Sequence, residues 1–142
     1  PRIVAVKDAK ADLFASADVM ARTALAYYSG DDGLNLVHLA NGAVGVVSVV
    51  GHVAGRQHAA LVAAVDDGDL DRARDIARGL IPAVRGIMTR GQGAVMAKAA
   101  LELTGVLPGR AVRLPLLAAT PEQVELLRAD LADAALLETE SP

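Results

Sequence analysis

The chain has no cysteine and no tryptophan, and aromatic residues make up only 2% of it. The absence of cysteine excludes disulfides and thiolate metal sites, and it fits a cytoplasmic location. With so few aromatics there is little to stack on bases. A net charge of -3 and a pI near 5.5 provide no basic face. Both features disfavour nucleic acid as a partner. No apolar run approaches the roughly 18 residues of a membrane-spanning helix. The longest is Ala43 to Gly51, so no membrane association is expected. The first apolar run, Ile3 to Val6, is too short for a signal peptide and leads directly into charge. Pro1 standing where Met would open a chain suggests a trimmed or partial protein.

What is present is aliphatic. Apolar residues form 53% of the 142, enough for one ordinary domain with a core of Ala, Val and Leu. Three apolar runs read as buried parallel strands, because they lack polar alternation: Ile3 to Val6, Thr23 to Tyr28 and Val44 to Val50. A helix fits after each. Asp12 offers an N-cap for one reaching about Met20, and Asp31-Asp32 for one that carries Leu34, Leu36, Val37 and Leu39 and ends at Asn41-Gly42. His58 to Val65 reads as the third, closed by the turn Asp66-Asp67-Gly68.

The remainder is helical. Leu70 to about Thr89 is amphipathic, with Ile76, Leu80, Ile81, Val84 and Ile87 as its apolar stripe and a kink expected at Pro82. Ala94 to Leu103 follows and is closed by Thr104-Gly105. Leu107 to Leu116 reads as irregular, and a last helix starts at Thr120-Pro121 and runs to about Leu137, ahead of a frayed polar end. The expected organisation is α/β: three βα units over residues 1–65 and a helical region over residues 66–142. A closed (β/α)8 barrel needs eight strands and about 250 residues, so the chain reads as the later part of one.

Lys7 ends the first of these runs. A lysine at the carboxyl end of a parallel strand stands where such folds place their chemistry. If it can be neutral, its amine is a nucleophile toward carbonyls. The bland alternative is a surface lysine after an edge strand. Gly30 stops the second run, either to enter a turn or to let a ligand approach the backbone. Asp31 and Asp32 fit helix capping better than metal binding, since no third ligand has suitable spacing. His38, His52 and His58 share no metal-ligand spacing; His38 reads as a helix-surface residue and His52 as part of a helix N-terminus. Arg72, Arg74 and Arg78 alternate with Asp71 and Asp75 as a solvated face. Gly91-Gln92-Gly93 follows a helix and lacks the Walker pattern, so it reads as a helix–helix turn.

Ile3-Val4-Ala5-Val6-Lys7-Asp8-Ala9, Tyr28-Ser29-Gly30-Asp31-Asp32 and Gly42 to Val49 together resemble strands six, seven and eight of the dihydrodipicolinate synthase family. That family lies in the Schiff-base class I aldolase superfamily that includes N-acetylneuraminate lyase. Lys98-Ala99-Ala100-Leu101 and Arg113-Leu114-Pro115-Leu116 resemble its C-terminal helical region. The resemblance implies a (β/α)8 barrel, of which this is the C-terminal part. It implies Lys7 as the residue that forms an imine with pyruvate, and Gly30 and the main-chain carbonyl of Val47 as the pocket wall. The implied reaction condenses pyruvate with L-aspartate 4-semialdehyde in lysine and diaminopimelate biosynthesis, with no metal and no organic cofactor. It also implies a homo-oligomer, dimer or tetramer. The family's carboxylate-binding threonines and relay tyrosine precede its lysine, so none is assigned here, and Tyr27 and Tyr28 are not the relay by position. Two alternatives stay open: another keto-acid aldolase of the superfamily, or a fragment inactive without its N-terminal half.

Overall fold

A computed structural model describes residues 2–137. The expected frayed tail lies largely outside them. The element order is β1 (Ala5–Asp8), α1 (Leu13–Arg22), β2 (Ala26–Ser29), a 3-10 turn (Asp32–Leu34), α2 (Asn35–Ala40), β3 (Gly45–Val46), α3 (Gly51–Asp66), α4 (Leu70–Met88), α5 (Gly93–Leu103) and α6 (Pro121–Asp133). The strands form one parallel sheet in the order β1-β2-β3. Among the described residues no helix is long and apolar enough to cross a membrane.

The chain makes two compact units. The first runs to Ser48 and resumes over Arg56–Arg78; the second takes Val49–Gly55 and the chain from Gly79 onward. The first unit holds the sheet. Val6 pairs with Tyr27 and Lys7 with Tyr28, while Tyr28 pairs in turn with Gly45. Successive side chains leave a strand on opposite faces. Tyr27 therefore enters a core with Leu39, Ala43, Leu61, Ala64 and Ala73, to which Val6 and Val46 add. Lys7, Tyr28 and Gly45 belong to the other face. In the second unit α5 and α6 pack together. Met96, Ala99, Ala100, Leu127 and Leu131 are fully or almost fully buried there.

Several helix ends follow their expected chemistry. The Asp12 side chain accepts from Ala15 N at 3.0 Å. Thr120 and Gln123 form a reciprocal capping box with Pro121 at the first helical position. Gly42, Gly68 and Gly105 all have positive φ, each where a helix stops. Asp71–Arg74 and Asp75–Arg78 are exposed ion pairs, as a solvated face requires.

Other expectations need correcting. The first strand is Ala5–Asp8, not Ile3 to Val6; Ile3 and Val4 are 70% and 69% exposed. The register with β2 selects the paired residues, and β1 lies at an edge where apolar character does not guarantee cover. The third strand is only Gly45–Val46, and Val44 and Val47 are exposed. The last two valines of that run belong to the entry into α3, where Val50 accepts from Val53 N and Ala54 N. Helix α3 begins at Gly51, well before His58, and leaves helical geometry at Ala54. In α4 Ala73, Leu80, Ala83, Gly86 and Ile87 are buried, whereas Ile81 is 57% exposed. That face repeats at three and four residues, and Ile81 falls one residue off it. Pro82 does lie inside the α4 span, as expected. The last helix stops at Asp133, short of Leu137.

Candidate active site at the strand mouth

The carboxyl ends of the three strands are joined by main-chain hydrogen bonds that extend the ladder. Gly30 N donates to Asp8 O at 2.7 Å, and Val47 N donates to Ser29 O at 2.7 Å. These bonds set Lys7, Gly30 and Val47 on three adjacent strand ends. Lys7 and Gly30 are in direct contact. A Cβ added to Gly30 would lie 2.2 Å from Lys7 Cε, 2.8 Å from Lys7 Cδ and 2.9 Å from Asp8 O. The absent side chain of Gly30 is thus the space through which the lysine stem passes. Val47 is hydrogen-bonded to the residue before Gly30, since its N–H donates to Ser29 O. Its own side chain is 51% exposed. Gly45 has a similar steric role in β3: a Cβ there would meet the Tyr28 ring at 3.1 Å.

Behind this mouth, on the core face, lie polar residues that the motifs did not single out. The Asp8 carboxylate accepts from the Tyr27 hydroxyl, from Ser16 Oγ at 2.8 Å and from Lys10 N at 2.7 Å. These donors, the Tyr27 hydroxyl first, hold the Asp8 carboxyl down at about 2. Burial, together with the Asp8 hydrogen bond, pushes the Tyr27 phenol up. Strand alternation was the available signal, since it puts Asp8 on the side of Val6 and away from Lys7. His38 corrects its reading as a helix-surface residue. It is completely buried, with Nδ1 3.0 Å from Ser29 Oγ and its ring 6.0 Å from that of Tyr27. Asn35, His38 and Leu39 form the inward face of the short α2, a three- and four-residue spacing visible in the sequence.

The two aspartates after Gly30 divide their work. Asp31 caps the 3-10 turn through Gly33 N at 2.9 Å. Asp32 is the acidic residue of that first turn. Its buried carboxylate accepts from Ser48 Oγ and from Asn35 Nδ2 at 3.2 Å, and it stands 3.3 Å from His58 Nε2. Ser48 Oγ is also 3.4 Å from that nitrogen. Serine and imidazole converge on the same carboxylate oxygen, so the imidazole does not stand between them as a nucleophile-activating base would. The cluster ties the segment after Gly30 to the segment after Val47. Among the described residues no group of three or more His, Asp or Glu could hold a metal ion. His52 Nδ1 lies 2.8 Å from Val49 O at the start of α3.

Residues 1–134 match the model of the dihydrodipicolinate synthetase family. The chain belongs to that family. It is 70% identical over 135 residues to the 4-hydroxy-tetrahydrodipicolinate synthase of Kineococcus radiotolerans, a match covering 95% of this chain and 44% of that protein. A solved structure of the synthase from Acinetobacter baumannii, complexed with pyruvate, superposes with a TM-score of 0.89 at 27% identity, over 96% of this chain and 47% of that one. The synthase of Cyanidioschyzon merolae with lysine bound gives 0.88 at 35% identity, over 96% and 46%. This family member thus spans less than half the length of the relatives it matches.

Proposed function

We propose that the chain is the C-terminal part of a (β/α)8 barrel, with β1, β2 and β3 as its sixth, seventh and eighth strands. Residues 1–65 would be the last three βα units and residues 66–142 the helical region that follows. The whole protein is then a lyase that condenses pyruvate with L-aspartate 4-semialdehyde in lysine and diaminopimelate biosynthesis, working in the cytoplasm. The observation that carries this reading is the seating of Lys7 across Gly30 at a parallel strand mouth, in a chain of this family.

In the proposed reaction the Lys7 amine adds to the keto carbon of pyruvate, and loss of water leaves an imine. The protonated imine withdraws electrons from the neighbouring methyl group. Loss of a methyl proton gives an enamine, and its carbon attacks the aldehyde. The electron sink is the imine itself, so this scheme uses no metal or organic cofactor. The backbone of Gly30, against which the Lys7 stem lies, and the main-chain carbonyl of Val47 would wall the keto-acid pocket. Support for pyruvate as substrate comes from the A. baumannii synthase, which was solved with pyruvate bound. Other keto-acid aldolases of the superfamily could share this half of the site.

The test is incubation with pyruvate and borohydride, followed by mass spectrometry of the peptides. A reduced pyruvyl adduct on Lys7 is the expected result. No adduct in the whole protein would refute the assignment. The isolated chain is expected to show no significant synthase turnover, because an imine-forming lysine without its proton relay and carboxylate clamp lacks most of the rate. Turnover by the chain alone near that of an intact enzyme would sink this expectation.

A further inference from the structure

We infer that Asp8 and Tyr27 are positioning residues for Lys7, joined on the core face of the sheet so that the lysine stem is held across Gly30 on the other. This deepens the proposed function and rests on Lys7 being the imine-forming amine.

Lys7 and Asp8 are neighbours in β1, so their side chains leave on opposite faces. Whatever fixes residue 8 fixes the root of residue 7. The Asp8 side chain is held from three directions: by Tyr27 from β2, by Ser16 from α1 and by the amide of Lys10. Its carbonyl is held by Gly30 N at 2.7 Å. Ser16 Oγ also lies 2.9 Å from Asp12 O. Its one hydrogen is therefore shared between two acceptors, and Tyr27 is the side-chain donor most committed to Asp8. The tyrosine is itself immobilised: it is 2% exposed and belongs to the first unit's core.

The contact is diagonal across the strand pair. Tyr27 is in register with Val6, and Asp8 with Ser29. A diagonal tie of this kind resists sliding of β1 along β2. Sliding is the motion Lys7 can least tolerate, since its Cε and Cδ already fill the space of the missing Gly30 side chain. Neither partner changes its role near neutral pH. The carboxyl titrates at about 2, and burial raises the phenol above its ordinary range. The pair is a fixed donor and acceptor, and it lies on the face away from the lysine. It touches no reacting atom, so any effect on the chemistry passes through β1.

The experiment uses the whole protein that carries this segment, with Tyr27→Phe and Asp8→Asn made singly and together. Borohydride trapping on Lys7 is followed across a pyruvate series, alongside thermal unfolding. Tyr27→Phe keeps the ring in the core. The expected result is a trapping rate at saturating pyruvate lower by about tenfold or more, toward the roughly hundredfold loss that a misplacement of about 1 Å can cause. The half-saturating pyruvate concentration should stay unchanged. The double variant should trap no more slowly than the slower single, as expected for residues acting as one unit. A folded Tyr27→Phe protein that traps at the parental rate would overturn the inference, even if Asp8→Asn does not fold. So would a loss that only follows the fraction of unfolded protein. If the parent itself gives no adduct on Lys7, the imine reading fails and takes this inference with it. A parental adduct with unaffected variants removes the inference alone.

Discussion

Gly30 has a steric duty that can be separated from its flexibility. Its space is filled by the Lys7 stem, and Asp8 O stands 2.9 Å from where a Cβ would be. In Gly30→Ala the lysine stem can swing aside, but the carbonyl of Asp8 is main chain and cannot. We expect a stability loss of about 1–3 kcal/mol from overpacking and a fall in pyruvate trapping of at least about tenfold from displacing the amine. Thermal unfolding and the trapping assay read the two effects separately. Asp8 makes a second prediction at this scale. Its carboxyl titrates at about 2 in the folded chain instead of 3.8. A depressed carboxyl stabilises the fold above its unfolded value and loses that contribution as pH falls through the folded value. The window is therefore roughly pH 4 down to pH 2, and the full contribution is at most about 2 kcal/mol before solvent screening reduces it. The gap in unfolding free energy between the parent and Asp8→Asn should be wider at pH 5 than at pH 2. An equal gap at both pH values would contradict this.

At the scale of elements, the second unit offers a clear test. Asp130 of α6 is 2% exposed and receives Arg85 Nε at 2.7 Å and Arg90 Nε at 3.0 Å. Burial alone would raise its pKa, but hydrogen bonds from Arg90 and Arg85 more than offset that and hold the carboxyl below its usual range. Gly86 lets α6 approach α4 here, since a Cβ on it would come within 2.9 Å of both Asp130 Cβ and Leu127 Cδ1. Replacing Asp130 by Ala strands two guanidinium groups, though both can reach water. The expected cost is about 2–3 kcal/mol, below the usual loss for a fully buried pair, and chemical denaturation would measure it. A stable Asp130→Ala protein would show that the helix packing does not need the pair. Asp130 was not legible in advance, because its partners lie 40 and 45 residues away. Local signals fared better. The caps at Asp12 and Thr120 and the glycine stops at Gly42 and Gly105 depend on neighbours in the chain, and their chemistry can be read there. Strand limits could not be read so closely. In the run from Val44 to Val50, apolar residues serve first a strand and then a helix entry, and hydrophobicity does not mark the change. At the mouth, Lys7 is a candidate from its place at a strand end, and the family resemblance gives it a role and adds Gly30 and Val47 as the pocket wall. Asp8 with Tyr27, and Asp32 with Ser48 and His58, arise only once β1, β2, β3 and the helices after them are brought together.

At the scale of the whole molecule, the sheet decides what the chain needs. Among the described residues β1 pairs only with β2, and β3 only with β2. Each outer edge therefore presents backbone donors and acceptors of the kind that recruit another strand. The face that carries Lys7 and Tyr28 lies opposite the packed core, and Ile3, Val4 and Val47 are exposed. On the helical side Phe14 is 85% exposed, and with Val37, Leu70, Leu13 and Leu36 it lines an open, mostly apolar groove of about 640 Å³. We propose that the edges take the remaining strands of the barrel, and that the exposed apolar surface favours a homo-oligomer, dimer or tetramer. The isolated chain should accordingly run above monomer size in sedimentation or light scattering. Adding the N-terminal half should shift it to a defined species and restore pyruvate trapping on Lys7. A clean, stable monomer that gains nothing from the N-terminal half would count against the unfinished-barrel reading. The two readouts can be told apart, since size reports closure of the sheet edges, whereas trapping also needs a nucleophile held in register at its mouth.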